Sequence, residues 1–184
     1  IMPSSQWSDY NVSGGQTKLL NDTKAAISNT YSASDIKVDR CVVTVIFSDS
    51  HIDVQPVFEV EDQDYKYPDS YNSGSWKITK PRKEMSAMKE AEEQKNKNLR
   101  RLCKMARAWK NKNGVCMSGL LIDTVAYNFL QSTGEYDSAS FSSYDLMCKD
   151  FFKFLYDQPK DQMEYGALGS KQRVKVRKPF KRKA

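Results

Sequence analysis

The stretch Val42-Val43-Thr44-Val45-Ile46-Phe47-Ser48-Asp49-Ser50-His51-Ile52-Asp53-Val54-Gln55-Pro56-Val57-Phe58 constrains the fold more than any other. Two apolar runs flank a short polar turn, the pattern of a β-hairpin. Alternation along the second strand places Ile52, Val54 and Phe58 on one face, and Asp53 and Gln55 on the other. A lone acid in so apolar a strand needs a partner, because an unpaired buried charge is expensive. A metal, a basic side chain or water at a cleft edge could each supply it. The plainer reading is an acid on the solvated face of an edge strand.

The chain has 184 residues, enough for one domain or for a small α/β lobe plus a helical lobe. Its 39% hydrophobic and 28% charged residues fit a soluble globular protein. No run approaches the roughly 20 apolar residues of a membrane span, and no signal-peptide core is present. The four cysteines, Cys41, Cys103, Cys116 and Cys148, are widely spaced, and His51 is the only histidine available to join them. That pattern disfavours a disulfide framework or structural zinc and predicts reduced, semi-buried thiols in a cytoplasmic protein.

The net charge of +6 belongs to one end of the chain. Residues 171–184 hold eight Lys/Arg and no acid, which leaves 21 basic against 23 acidic residues elsewhere, a net of −2. Such a tail can attract nucleic acid or another polyphosphate, or simply be a solvated end.

The coarse pattern is α+β, with a boundary near residue 80: α/β over 1–80, then helices over 81–184. Ile1-Met2-Pro3 reads as the end of a strand. A helix is predicted over Gln16–Tyr31, with Leu20, Thr23, Ile27 and Tyr31 at helical spacing. The hairpin follows, then an acidic stretch and a loop rich in turn residues from Tyr67 to Trp76. Pro81 to about Lys112 is helical, in one or two pieces, with Leu99, Leu102, Cys103 and Ala106 as its apolar stripe. Helices over about Ser118–Leu130 and Ser143–Tyr156 complete the set, the latter with Met147, Phe151, Phe154 and Leu155 on one face.

Two more features could carry chemistry. Within Asn98–Lys110, Arg100, Lys104 and Arg107 share one helix face, opposite the leucines. Like charges so placed repel, so an anion between them is one reading and a solvated helix face the other. Ser118-Gly119 opens an apolar helix, where free backbone N–H groups and a hydroxyl make an anion site or a plain Ser N-cap. Asp53, the cationic stripe and this helix start together fit a metal-binding carboxylate opposite a phosphate-binding wall.

The order and spacing of these segments resemble the bacterial nucleotidyltransferases that make cyclic oligonucleotides. Those enzymes are relatives of cyclic GMP-AMP synthase and oligoadenylate synthase in the polymerase-β-like superfamily. The resemblance rests on Val43–Phe47 with His51–Phe58, Tyr67-Pro68-Asp69, and Gly74-Ser75-Trp76-Lys77 with Thr79 and Pro81. It extends through Leu102–Lys110, Met117–Leu121 and Ala167-Leu168-Gly169-Ser170. It implies a partial nucleotidyltransferase lobe with a mixed β-sheet, followed by a helical nucleotide-binding lobe. By the same likeness Asp53 matches the third metal-binding carboxylate, Lys104 and Arg107 match the basic pair on the donor triphosphate, and Ser118 matches a helix-start residue on the same phosphates. Ser75 and Trp76 match the lining of the nucleotide pocket. Gly119 stands where some relatives carry a base-stacking tyrosine.

The implied chemistry is Mg²⁺- or Mn²⁺-dependent nucleotidyl transfer from ATP, GTP or other nucleoside triphosphates to a 2′- or 3′-hydroxyl, giving cyclic di- or trinucleotide messengers of anti-phage signalling. The family's Gly-Ser motif opening a helix, followed by an Asp-x-Asp pair on the next strand, does not occur here. Ser13-Gly14-Gly15 precedes no such acids, and Asp9, Asp22, Asp35 and Asp39 are unsuitably placed. The expectation is a piece of a longer enzyme, inactive alone, whose partner is its own N-terminal part. The alternatives are a non-catalytic nucleotide-binding module and a nucleic-acid-binding domain working through the basic tail. A poly(A)-polymerase-like or tRNA-nucleotidyltransferase activity is an alternative within the same chemistry that the motifs disfavour.

Overall fold

A computed structural model describes residues 1–32 and 34–176, which divide into two compact units, Ile1–Lys80 and Pro81–Ala184. Most of the basic tail, residues 177–184, lies outside the described residues.

The first unit holds a four-residue helix α1 (Trp7–Tyr10) and a long helix α2 (Gly15–Thr30). One antiparallel sheet has the order β1 (Asp35–Val38), β2 (Val43–Ile46), β3 (His51–Val54). A second has the order β4 (Phe58–Glu59), β5 (Tyr65–Asp69), β6 (Ser75–Thr79). Gly15 is required at the start of α2, because a Cβ there would collide with the Tyr10 carbonyl. Leu20 packs with Ile36, Val43 and Val45 beneath the first sheet. Its neighbour Leu19 packs instead with Tyr10 and Phe58. This helix is covered on two sides, so its buried stripe is wider than Leu20, Thr23 and Ile27. Tyr31 lies past the helix end, half-exposed, with its ring edge on Phe47 at 6.4 Å.

The hairpin forms as β2 and β3, in the register Val43↔Val54, Thr44↔Asp53, Val45↔Ile52. Its second strand is shorter than the apolar run. Phe58 leaves for the second sheet, and Ile52 is 55% exposed because α2 covers β1 and β2 but not the edge strand β3. The α+β class is the one observed. Among the described residues, though, every named strand pairs antiparallel, and the one parallel pairing is a lone bridge from Met2 to Phe58. The predicted strand end at Ile1-Met2-Pro3 reduces to that bridge.

The Tyr67–Trp76 segment is a hairpin rather than a loop. Tyr67-Pro68-Asp69 closes β5 and Ser75-Trp76 opens β6, with the turn between them carried by positive φ at Asn72, Ser73 and Gly74. Pro68 is tolerated because β4 reaches only Tyr65 and Lys66 of β5, so no ladder hydrogen bond is asked of the proline on that side.

The second unit packs helices α3 (Pro81–Gln94), α4 (Asn98–Lys112), α5 (Gly119–Ser132) and α6 (Tyr144–Tyr156) around one core, with a ribbon of β7 (Glu164–Gly166) and β8 (Arg173–Lys175). The charged segment after Pro81 is thus two helices, broken where Asn96 and Lys97 take φ of 46° and 60°. Leu99, Leu102, Cys103 and Ala106 of α4 are buried, as are Met147 and Phe151 of α6. All four cysteines are free thiols. Cys41 and Cys148 are half-buried, Cys103 is buried, and Cys116 is exposed, contrary to its expected partial burial.

Candidate functional site

Asp53 lies on the edge strand β3, on the sheet face turned away from α2. Alternation places it with His51 on that face, beside Thr44 of β2 and, one strand further, Lys37 of β1. The Thr44 hydroxyl donates to Asp53 Oδ1 at 2.7 Å, and the carboxylate is otherwise open to solvent. It is therefore oriented but not neutralised, and at least one oxygen remains free to accept. A hard divalent cation asks for six or more oxygens in a defined array. Among the described residues no cluster of three His, Cys, Asp or Glu could hold a metal ion. The residues present do not make a metal site by themselves, and Asp53 could contribute one ligand group to such a site.

Ser75 and Trp76 stand at the start of β6, opposite Asp69 and Pro68. Ser75 is exposed. Trp76 is engaged in packing: its ring lies 4.8 Å from Trp7 and 5.9 Å from Phe58, in a cluster that also holds Tyr10. Its indole is committed to the core of the first unit, which already explains an aromatic residue there.

Asp69 is the residue this hairpin is built around. Its carboxylate is 1% exposed and accepts from Arg40 Nε at 2.5 Å, from Arg40 Nη2 at 2.6 Å and from the Tyr71 N–H at 3.1 Å. Lys77 pairs with the same group. The Arg40 hydrogen bonds come first; burial works against them, and Lys77 and the Tyr71 N–H add to them. Together they hold the Asp69 carboxyl well below the usual carboxylate range. Arg40 also lies over the Tyr71 ring, 4.6 Å from its centre. Sequence reading missed this network. Arg40, between β1 and β2, and Asp69, the last residue of β5, are 29 residues apart, and no periodicity links them.

The three cations of α4 do not act as one stripe. Arg107 Nη2 donates to both carboxylate oxygens of Asp123 in α5, at 2.6 and 2.7 Å, and lies 3.3 Å from the Gly119 carbonyl. Arg100 is drawn to Glu92 of α3, which accepts from the Arg100 backbone N–H at 2.7 Å. Lys104 is exposed and faces α3. Two of the three cations are thus paired with protein carboxylates, and Lys104 has none among the described residues. Asp123 was not foreseen; it is 16 residues from Arg107 and on another helix. Ser118 is a genuine N-cap, its Oγ accepting from the Leu121 N–H at 3.2 Å. The hydroxyl proton stays available to an acceptor beyond the helix end. Arg107 and Ser118 therefore meet at the start of α5, Arg107 through the Gly119 carbonyl and Ser118 as its cap, while Lys104, three residues before Arg107 on α4, lines a groove shared with α3.

Residues 2–92 match the family described as the Second Messenger Oligonucleotide or Dinucleotide Synthetase domain. The fold is similar to that of the Elizabethkingia meningoseptica CdnE cyclic dinucleotide synthase solved with GTP and Apcpp. That likeness has a TM-score of 0.61 at 15% identity and covers 86% of this chain and 62% of that one. It is also similar to the Rhodothermus marinus CdnE c-UMP-AMP synthase solved with Apcpp and Upnpp, with a TM-score of 0.54 at 16% identity, covering 82% of this chain and 55% of that one. The chain thus spans less than two thirds of the length of either. Comparison with curated proteins finds no match.

Proposed function

From a chain similar to the cyclic-oligonucleotide synthases, its residues 2–92 matching their synthetase domain, we propose a part of a nucleotidyltransferase that joins nucleoside triphosphates into cyclic di- or trinucleotides. The observation that carries the reading is the domain match itself, which includes the strand that displays Asp53. In each transfer a ribose 2′- or 3′-hydroxyl oxygen bonds to the α-phosphorus of a triphosphate. The bond from that phosphorus to the bridging oxygen breaks, pyrophosphate leaves with the electron pair, and the hydroxyl proton passes to solvent or a base.

On this reading Lys104 and the Ser118 hydroxyl hold donor phosphates, and Arg107 does so while oriented by Asp123. Asp53 is one of three carboxylates, the other two coming from residues outside this sequence. Divalent Mg²⁺ or Mn²⁺ would supply charge neutralisation only at a site so completed. The setting is cytoplasmic and the role anti-phage signalling. Among the described residues, no helix is long and apolar enough to cross a membrane.

The test is to incubate the full-length protein with the four ribonucleoside triphosphates and Mg²⁺ or Mn²⁺, and to examine products by mass spectrometry. The expected result is a phosphatase-resistant cyclic oligonucleotide that disappears with Asp53→Asn. The 184-residue chain alone is expected to form none. Absence of any such product across metals and pH, with Asp-x-Asp present upstream, sinks the reading. The eight Lys/Arg of residues 171–184 favour a second reading, nucleic-acid binding. It predicts salt-dependent retention of oligonucleotides that is lost when those residues are deleted.

A further inference from the structure

Phe141, in the turn Phe141–Ser143 that leads into α6, is 86% exposed, more than any other large apolar side chain among the described residues. A single exposed hydrophobe is ordinary and needs no explanation. This one has company. Its ring meets that of Tyr144 at 5.9 Å and 71°, and the Arg101 guanidinium lies 5.8 Å from the Tyr144 ring centre. Two aromatic rings and a cation thus form one surface.

Hydrogen bonds hold that surface against the reversal between α3 and α4. The buried Asn98 side chain donates to the Tyr136 carbonyl at 2.7 Å and to the Ala139 carbonyl at 2.9 Å. Asn96 Nδ2 donates to the same Ala139 carbonyl at 3.2 Å, two residues before Phe141. The segment carrying the aromatic pair is therefore fastened beside Lys97, whose left-handed φ of 60° turns the chain into α4. Arg101 is fixed by neutral acceptors, the Asn96 carbonyl at 2.6 Å and Asn98 Oδ1 at 3.2 Å, with no carboxylate on it. Lys97 is exposed and, like Lys89 of α3, has no acidic partner among the described residues. Both lysines line a groove with Arg101, where Glu92 is committed to Arg100 and Glu93 is the one other acid.

We propose that this surface of the helical unit binds a single-stranded nucleic acid. Unpaired bases stack on Phe141 and Tyr144, while Lys97, Arg101 and Lys89 follow the phosphates. The aromatic pair decides the ligand class. An inorganic polyphosphate would use the cations and leave Phe141 idle, and a duplex keeps its base faces hidden within its own stack. The inference stands apart from the synthase reading and from the basic tail, since it uses none of Asp53, Lys104, Arg107, Ser118 or residues 171–184.

The experiment titrates the whole chain into a short fluorescein-labelled oligo(U) strand and follows anisotropy. Wild type is compared with Phe141→Ala, Phe141→Trp and Lys97→Gln. Both positions are exposed, and circular dichroism would verify that each variant remains folded. Affinity is expected to fall about fivefold or more in Phe141→Ala and to be kept in Phe141→Trp, because any aromatic face supports stacking. Lys97→Gln should weaken binding and flatten its salt dependence. The tail is common to all four proteins and cannot produce these differences. Ultraviolet irradiation with a strand carrying 5-iodouridine, followed by peptide mass spectrometry, should place the crosslink on Phe141 or Tyr144. Equal affinity in wild type and Phe141→Ala overturns the proposal, as do crosslinks confined to residues 171–184, a duplex of the same length bound as tightly as the single strand, or no binding. So does an acidic peptide that binds more tightly than the strand and is lost in Phe141→Ala, which would assign the surface to a protein partner.

Discussion

Asp69 keeps its charge in a site 1% exposed because four donors from three segments converge on it. Removing an acceptor from such a set leaves its donors unsatisfied. Asp69→Asn is therefore expected to destabilise by about 1–3 kcal/mol. The lower end applies, because the Arg40 and Lys77 side chains are 50% and 42% exposed and water can replace the lost partner. The pH dependence follows from the depressed folded-state pKa. The unfolded carboxyl takes up its proton near about pH 4, the folded one only well below that. The stability Asp69 supplies is thus full above about pH 4 and falls away as the solution is acidified further. Urea unfolding at pH 6 and pH 3 should show the gap between wild type and Asp69→Asn narrowing on acidification; a constant gap would contradict the assignment. The cysteines give a second test at this scale. Burial, with the Asp123 carboxylate adding to it, pushes the Cys103 thiol up, whereas Cys116 is exposed. Iodoacetamide followed by peptide mass spectrometry should label Cys116 in the native protein and Cys103 only after unfolding.

At the scale of elements, the legible features were those with local causes. The β2–β3 hairpin, the stripe of α4 and the Ser118 helix start follow from alternation, 3.6-residue spacing and capping chemistry, all properties of adjacent residues. What was not legible depended on partners distant in sequence. Tyr67–Trp76 reads as a loop by composition, yet pairs as strands because Asp69 is anchored by Arg40. Arg107 reads as a free cation, yet is met by Asp123 from another helix. The two roles weighed for Ser118 can be separated by substitution. Ser118→Ala should cost about 1 kcal/mol of stability through the lost cap, whereas Ser118→Gly should cost only a few tenths. If the hydroxyl also holds phosphate, Ser118→Gly will lose nucleotide affinity while keeping its melting temperature. Unchanged affinity in the glycine variant would leave Ser118 as a cap alone. Gly169 makes a comparable demand on α3. Its φ is +68°, and a Cβ would collide with the Lys83 carbonyl. Gly169→Ala should destabilise by about 1–3 kcal/mol from backbone strain, before any adjustment of α3.

Across the whole molecule, apolar burial is unevenly shared between the two units. The second unit has one continuous cluster that joins α4, α5 and α6 through Leu99, Leu102, Ile122, Val125, Leu130, Met147 and Phe151. The first divides its burial between two small groups, one around Leu20, Val43 and Val45, the other around Leu19, Tyr10 and Phe58. Burial of apolar surface is the main favourable term in folding, and small cores are marginal on their own. The first unit also ends one of its sheets in the exposed edge strand that carries Asp53, with Ile52 55% exposed beside it. These differences predict a hierarchy of opening. In native-state hydrogen exchange under increasing urea, backbone amides of α4 and α5 should exchange at the highest free energy, through complete unfolding of their unit. Amides of β1–β3 should exchange at a lower free energy and with a smaller urea dependence, because less surface is exposed when they open. Spectroscopic probes of the two units should then give non-coincident unfolding curves. One shared exchange free energy and one coincident transition would show instead that the small clusters of the first unit draw their stability from the same cooperative event as the helical core.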